Sequence, residues 1–226
     1  MEKLVREALL KHMMHNNFLS DYQHGFVRGR SCTTQMLLVV DKLSEILDQG
    51  GAVDTVYLDF AKAFDSVPHE RLLLKLQSYG VSGCVLNWIR NFITLRQQSV
   101  CVDGIYSALV NVISGVPQGS VLGPALFVCY INDMPESVAS LLFMYADDSK
   151  VVRQIQCESD YLALQSDLDK LCDWSKDWQL RFNLDKCKIL CIGKCNVKRQ
   201  YSMQDKNDQT TILFDTGRKE SWYLDG

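Results

Sequence analysis

An α+β fold, with an antiparallel sheet carrying helices on one face, follows from three features of the 226-residue sequence. Helical and strand patterns interleave irregularly instead of repeating as strand–helix units, two stretches read as hairpins, and the strands are few. A composition that is 47% hydrophobic and 10% aromatic can fill a buried core.

The elements follow in order. Residues 2–16 read as a charged amphipathic helix. Residues 35–48 form a second, with Met36, Val39, Val40, Leu43, Ile46 and Leu47 on one face and "QGG" as its stop. "AVDTVYLDF", residues 52–60, is β-branched and aromatic between glycines, hence a strand; Val56, Leu58 and Phe60 point one way, Thr55, Tyr57 and Asp59 the other. "HERLLLKLQSYG" is a helix begun near Asp65, Ser66 and Pro68, and "CVLNWIRNFIT" is another. In "RQQSVCVDGIYSALVNVIS", Asp-Gly between alternating segments signals a hairpin. A Gly/Pro-rich loop, 114–124, opens a helix at Ser120 and leads into "PALFVCYINDM". "SLLFMYADDSKVV" is a second hairpin whose turn is the Asp pair, residues 159–180 form a long amphipathic helix, and "CKILCIG" is the last strand. After Lys194 the pattern weakens.

Charge and cysteines narrow the classes. With 24 basic against 27 acidic residues, net −3, nucleic acid must be held by local basic patches or through metals, not by bulk attraction. No apolar run approaches the ~18 residues of a membrane span, and "MEKLVREALLKHMM" has no signal-peptide core. The expectation is an intracellular protein of nucleus or cytoplasm, without membrane contact, whose nine cysteines are reduced. Cys187, Cys191 and Cys195 lack a C-x2-C pair and a nearby His, so thiols around a strand are favoured over a metal knot.

The chemistry is expected where acids end strands. Asp59 closes one strand, and the adjacent Asp147 and Asp148 interrupt another apolar run. Side by side, the strands would bring three carboxylates to one sheet edge, an unfavourable cluster unless hard cations such as Mg²⁺ or Mn²⁺ neutralise it. Such a site suits two-metal phosphoryl transfer; turn chemistry and helix capping are the structural alternatives. "SGVPQGSVLGP" lets backbone approach a ligand at Gly115, Gly119 and Gly123, with Gln118 at its crest, but it is no P-loop. Phe64 is either core or a wall beside the acids.

"YLDFAKAFDSVPH", "SGVPQGSVLGP", "FMYADDS" and "LRFNLDKCKIL", in this order, resemble the palm motifs of reverse transcriptases, and "HGFVRGRSC" resembles a fingers motif. The similarity is to the non-LTR, LINE-type retrotransposon enzymes and covers roughly residues 1–195. It implies a polymerase palm over 53–195 (with 84–125 partly fingers-like), partial fingers over 1–52, and a weakly matching tail over 196–226. The sequence departs from the family's pattern in that a thumb, an endonuclease domain and the rest of the fingers are not expected among these residues.

The implied activity is RNA-directed DNA synthesis from dNTPs on an RNA template and DNA primer, with two Mg²⁺ or Mn²⁺ ions. By resemblance, Asp59, Asp147 and Asp148 with the Phe60 carbonyl would hold metal, and Phe64 would exclude the 2′-hydroxyl. Gln118 and Gly119 would line the nucleotide pocket, Lys186 would protonate pyrophosphate, and Arg28 and Arg30 would face phosphates. Asp65 reads instead as a helix cap. Two alternatives stand beside this. A truncated or domesticated remnant that only binds nucleic acid would be betrayed by a lost acid; another palm-type metal enzyme, such as a nucleotide cyclase, should lack the Gln118 loop and Phe64.

Overall fold

The computed structural model describes residues 1–193, 200–204 and 210–213. Its centre is a four-stranded antiparallel sheet in the order β6-β7-β1-β8, built from β1 (Ala52–Leu58), β6 (Leu141–Tyr145), β7 (Asp148–Ile155) and β8 (Lys188–Ile192). β1, buried except at Tyr57, lies between β7 and β8, with Val56 opposite both Val151 and Ile189. An interior strand hydrogen-bonded on both sides explains the β-branched run.

The helices are α1 (Glu2–His15), α2 (Cys32–Asp48), α3 (Ala63–Ser66), α4 (His69–Ser78), α5 (Gly83–Thr94), α6 (Gly123–Ile131) and α7 (Glu158–Trp178). α6 is buried except at Pro124 and forms the middle of the core, as an all-apolar helix must. Val56, Leu58, Leu142, Met144 and Val151 pack on that side with α4, α5 and α7. The expectation of helices on one face is corrected in one respect. α2 lies on the opposite face, where Val39 and Ile46 meet Val53, Phe143 and Val152.

Local chemistry sets the boundaries. Ser31 caps α2 reciprocally with Thr34, so the helix begins before the expected 35, and Gly50, at φ +74°, ends it. The start of the 69–78 helix divides in two, because Pro68 separates α3 from α4. The Asp-Gly hairpin forms as β2 (Gln97–Gln98) with β5 (Val110–Asn111) and β3 (Cys101–Val102) with β4 (Ile105–Tyr106). Asp103 and Gly104 both take positive φ, as its two-residue turn requires. The pairing slips by one residue between Gln98↔Val110 and Cys101↔Tyr106, a bulge in the returning arm.

Two further boundaries differ from expectation. α6 opens at Gly123, not Ser120, whose hydroxyl instead bonds Pro117 O and receives the Gly123 N–H. The weakly patterned tail also contributes to the core. β9 (Ser202–Gln204) pairs with β10 (Thr210–Ile212), and Tyr201, Met203 and Leu213 are buried in the main core. Tyr201 donates to Asp54 at 2.7 Å. Among the described residues no helix is long and apolar enough to cross a membrane. Cys129 and Cys187 are buried thiols, whereas Cys195 lies outside the described residues.

Candidate active site

The β1–β7 register ends at Leu58↔Ser149, and continuing it sets Asp59 opposite Asp148, itself paired with Tyr145 on β6. Asp147 stands in the turn between β6 and β7. That turn is Ala146–Asp147, not the Asp pair, because Asp148 already belongs to β7. Ala146 bends the chain at φ +55°.

Beyond β1, the Ala61 N–H donates to Arg181 O and the Asn183 N–H to Asp59 O, at 2.8 and 2.7 Å. These bonds flank the Phe60↔Phe182 bridge, so the Phe60 carbonyl points away from residues 181–183, toward the β7 side. The following turn, where the Lys186 N–H donates to Asn183 O, brings Lys186 Nζ within 3.0 Å of Asp59 Oδ2.

The electrostatics are those of an acid cluster short of cations. Burial, then the charges of Asp148 and Asp59, push the Asp147 carboxyl above its ordinary value, and Lys186 offsets part of this. The contact with Asp59, and then that carboxylate's charge, raise Lys186, so it stays protonated. Asp59 Oδ2 is buried, and the Lys186 ammonium 3.0 Å away is the cation that faces it. Among the described residues, no three His, Cys, Asp or Glu side chains have closed around a common point as a finished metal shell. The donor set nevertheless fits hard cations: carboxylate oxygens, one of them already facing the Lys186 ammonium, and a carboxyl raised by burial and by its acidic neighbours.

Phe64 is half-buried, stacked on Phe127 at 4.4 Å and edge-on to Phe26 at 6.4 Å. Its carbonyl accepts the Val116 N–H, tying it to the Gly-rich loop. That loop is tied again at Asp65, which corrects the capping expectation: α3 has no side-chain cap, and the Asp65 carboxylate accepts from Gln118 Nε2 at 2.8 Å. Gly115, at φ +92°, lies so close to Asp65 that a Cβ would come within 2.8 Å of its carbonyl oxygen. Gln118 and Gly119 stand exposed at the crest.

Arg28 is exposed, but Arg30 departs from expectation. Its guanidinium donates to Ser20 O, Gln23 O and Asp21 Oδ1, fastening its own segment. A cavity of about 480 Å³ joins Asp59, Asp148 and Lys186 to Gln35 on α2. A second cleft, of about 1500 Å³, is lined by none of the three acids. It runs alongside, between Arg96–Gln97 of the hairpin and Arg181–Phe182.

Residues 1–217 match the family described as reverse transcriptase (RNA-dependent DNA polymerase). The chain belongs to the reverse transcriptase family. Relatives of this reverse transcriptase domain include the RNA-directed DNA polymerase from mobile element jockey of Drosophila funebris. It is 32% identical over 196 residues, covering 83% of this chain and 21% of that protein. The probable RNA-directed DNA polymerase from transposon X-element of Drosophila melanogaster is 29% identical over 197 residues, 84% of this chain and 22% of that protein. The chain thus spans about a fifth of the length of these curated relatives.

Telomerase from Candida albicans, solved with a TWJ fragment of telomeric RNA, superposes with a TM-score of 0.65 at 14% identity, over 89% of this chain and 36% of that one. That likeness establishes the reverse transcriptase palm fold. Gln23, Gly25 and Lys75 are structurally committed residues that pattern reading passed over. For Lys75 a signal existed, since it stands among Leu72, Leu73 and Leu76 on the buried side of α4.

Proposed function

We propose that this chain is the polymerase core of a non-LTR retrotransposon enzyme that extends a DNA primer on an RNA template. Residues 53–195 act as palm, 84–125 being partly fingers-like, and 1–52 as part of the fingers. The observation that carries the reading is the register that sets Asp59 opposite Asp148 beside the Asp147 turn, with Lys186 Nζ 3.0 Å from Asp59 Oδ2 as a cation already drawn to the acids. Asp59, Asp147 and Asp148, with the Phe60 carbonyl, would hold two Mg²⁺ or Mn²⁺ ions. When bound, such ions activate the primer 3′-hydroxyl and neutralise charge developing on the triphosphate.

The chain's own groups do the rest. Lys186, kept protonated beside Asp59, holds a proton at Nζ for the departing pyrophosphate. Phe64, braced by Phe26 and Phe127, forms a rigid wall against which a ribose 2′-hydroxyl would collide. The Asp65–Gln118 bond holds the Gly-rich crest open for a base pair. The cleft between the hairpin and Arg181 offers Arg96, Lys176 and Arg181 to the template–primer backbone. The test is extension of oligo(dT) on poly(rA) with Mg²⁺ by this chain, with Asp147→Asn beside it. Incorporation of dTTP that needs Asp147 supports the reading; equal incorporation by both proteins refutes it.

A further inference from the structure

The segment before α2 grips the turn that carries Asp147. Residues 22–24 run beside β6: the Met144 N–H donates to Tyr22 O and the His24 N–H to Met144 O, both at 2.9 Å, around a parallel Gln23↔Met144 bridge. Gln23 is wholly buried. Its Oε1 accepts the Ala146 N–H at 3.0 Å and the Gly25 N–H at 2.7 Å, so one amide oxygen fastens both sides of the contact.

The approach is as tight as backbone allows. A Cβ on Gly25 would sit 2.2 Å from Ala146 N and 2.9 Å from its Cα. An alanine at φ +55° is unfavourable for an L-residue and persists only where the surroundings over-determine it. Arg30 anchors the gripping segment in turn, donating to Gln23 O at 2.7 Å and Ser20 O at 2.6 Å.

We propose that Gln23 is the positioning residue of the Asp147 turn. Its side-chain oxygen holds the Ala146 amide in the left-handed conformation that aims Asp147, and Gly25 provides the gap that permits it. A simple core role fits less well. Gln23 Nε2 is buried without a partner, a cost to stability that a residue chosen for packing would avoid. The glutamine carbonyl oxygen is what the contact uses. Fingers segment and catalytic turn therefore move together, and a shift of residues 22–25 is a shift of Asp147. The consequence for catalysis rests on the polymerase reading; the clasp itself does not.

The test uses the 226-residue chain, with Gln23→Met, which keeps the length and loses the acceptor, Gln23→Glu, which keeps it, and Gly25→Ala. Amide exchange read by NMR should be at least about tenfold faster at Ala146 in Gln23→Met, with Val151 and Val56 unchanged, and near wild type in Gln23→Glu. Mn²⁺ affinity, read by EPR, should weaken at least about threefold in Gln23→Met and Gly25→Ala. In primer extension kcat should fall about tenfold or more while KM for dTTP stays within about twofold. Unchanged exchange at Ala146, or exchange raised evenly across the sheet together with a lowered Tm, would overturn the proposal. If the wild type neither binds Mn²⁺ nor extends primers while the local exchange difference stands, the clasp holds and the polymerase reading fails.

Discussion

At the residue scale, Asp147 and Phe64 carry the sharpest expectations. Burial and the neighbouring acids raise the Asp147 carboxyl, so the folded chain binds its proton more tightly than the unfolded chain does. Metal-free stability should therefore fall as pH climbs from the ordinary carboxylate value through the raised one. At neutral pH Asp147→Asn should leave the metal-free Tm unchanged or raised, while the Tm gain on adding Mg²⁺ shrinks. Scanning calorimetry of both proteins checks this, and a clearly lower metal-free Tm for Asp147→Asn would make the Asp structural. Phe64→Val removes the wall but also a ring stacked on Phe127, so both activities should drop. The ratio of ribonucleotide to deoxynucleotide kcat/KM should nonetheless rise at least tenfold, about 1.4 kcal/mol. An unchanged ratio assigns Phe64 to the core alone. Asp59 and the Asp pair were legible because acids at the ends of apolar strands contradict their surroundings. The roles of Asp65 and Arg30 were not, because each is defined by partners that no local pattern announces: Gln118 for one, the carbonyls of Ser20 and Gln23 for the other.

At the element scale, Lys75 ties α4 to α6 and α7. Its buried ammonium bonds Tyr130 O and Asp133 and lies 3.8 Å from the Trp178 ring centre and 4.9 Å from that of Trp174. Burial brings it down to about 8 against the pull of Asp133. The unfolded chain then keeps this proton to higher pH than the folded one, so the contribution of Lys75 to stability improves as pH rises from about 8 toward the ordinary lysine value. The buried thiols of Cys129 and Cys187, pushed up to about 12 and about 11, work in the opposite direction. The informative quantity is therefore the difference between wild type and Lys75→Met. Between about pH 7.5 and 9.5 the wild type should gain about 1–2 kcal/mol relative to the variant in urea unfolding; a constant difference would mean that Lys75 keeps an ordinary proton affinity. Periodicity exposed most of the helices, since α2 and α7 each bury one regular face, whereas β1, buried on both faces, showed itself by its β-branched run. Periodicity placed the β6–β7 turn one residue late. An alanine at positive φ has no local signature, and what holds it, Gln23, lies 123 residues away.

At the scale of the whole molecule, β1 sits between partners that come much later in the chain. Val56 meets Val151 on one side and Ile189 on the other. The closing contacts are non-local, a topology that folds slowly. During synthesis β1 leaves the ribosome roughly a hundred residues before β7, about 5–20 s at ordinary rates. For that interval an apolar, β-branched strand presents two open edges, a template for pairing with another nascent chain. β7 closes one edge, and the second waits for β8, so Lys186 reaches Asp59 only as the sheet is completed. The strand that carries Asp59 is the first part of the site to be made and the last to be enclosed.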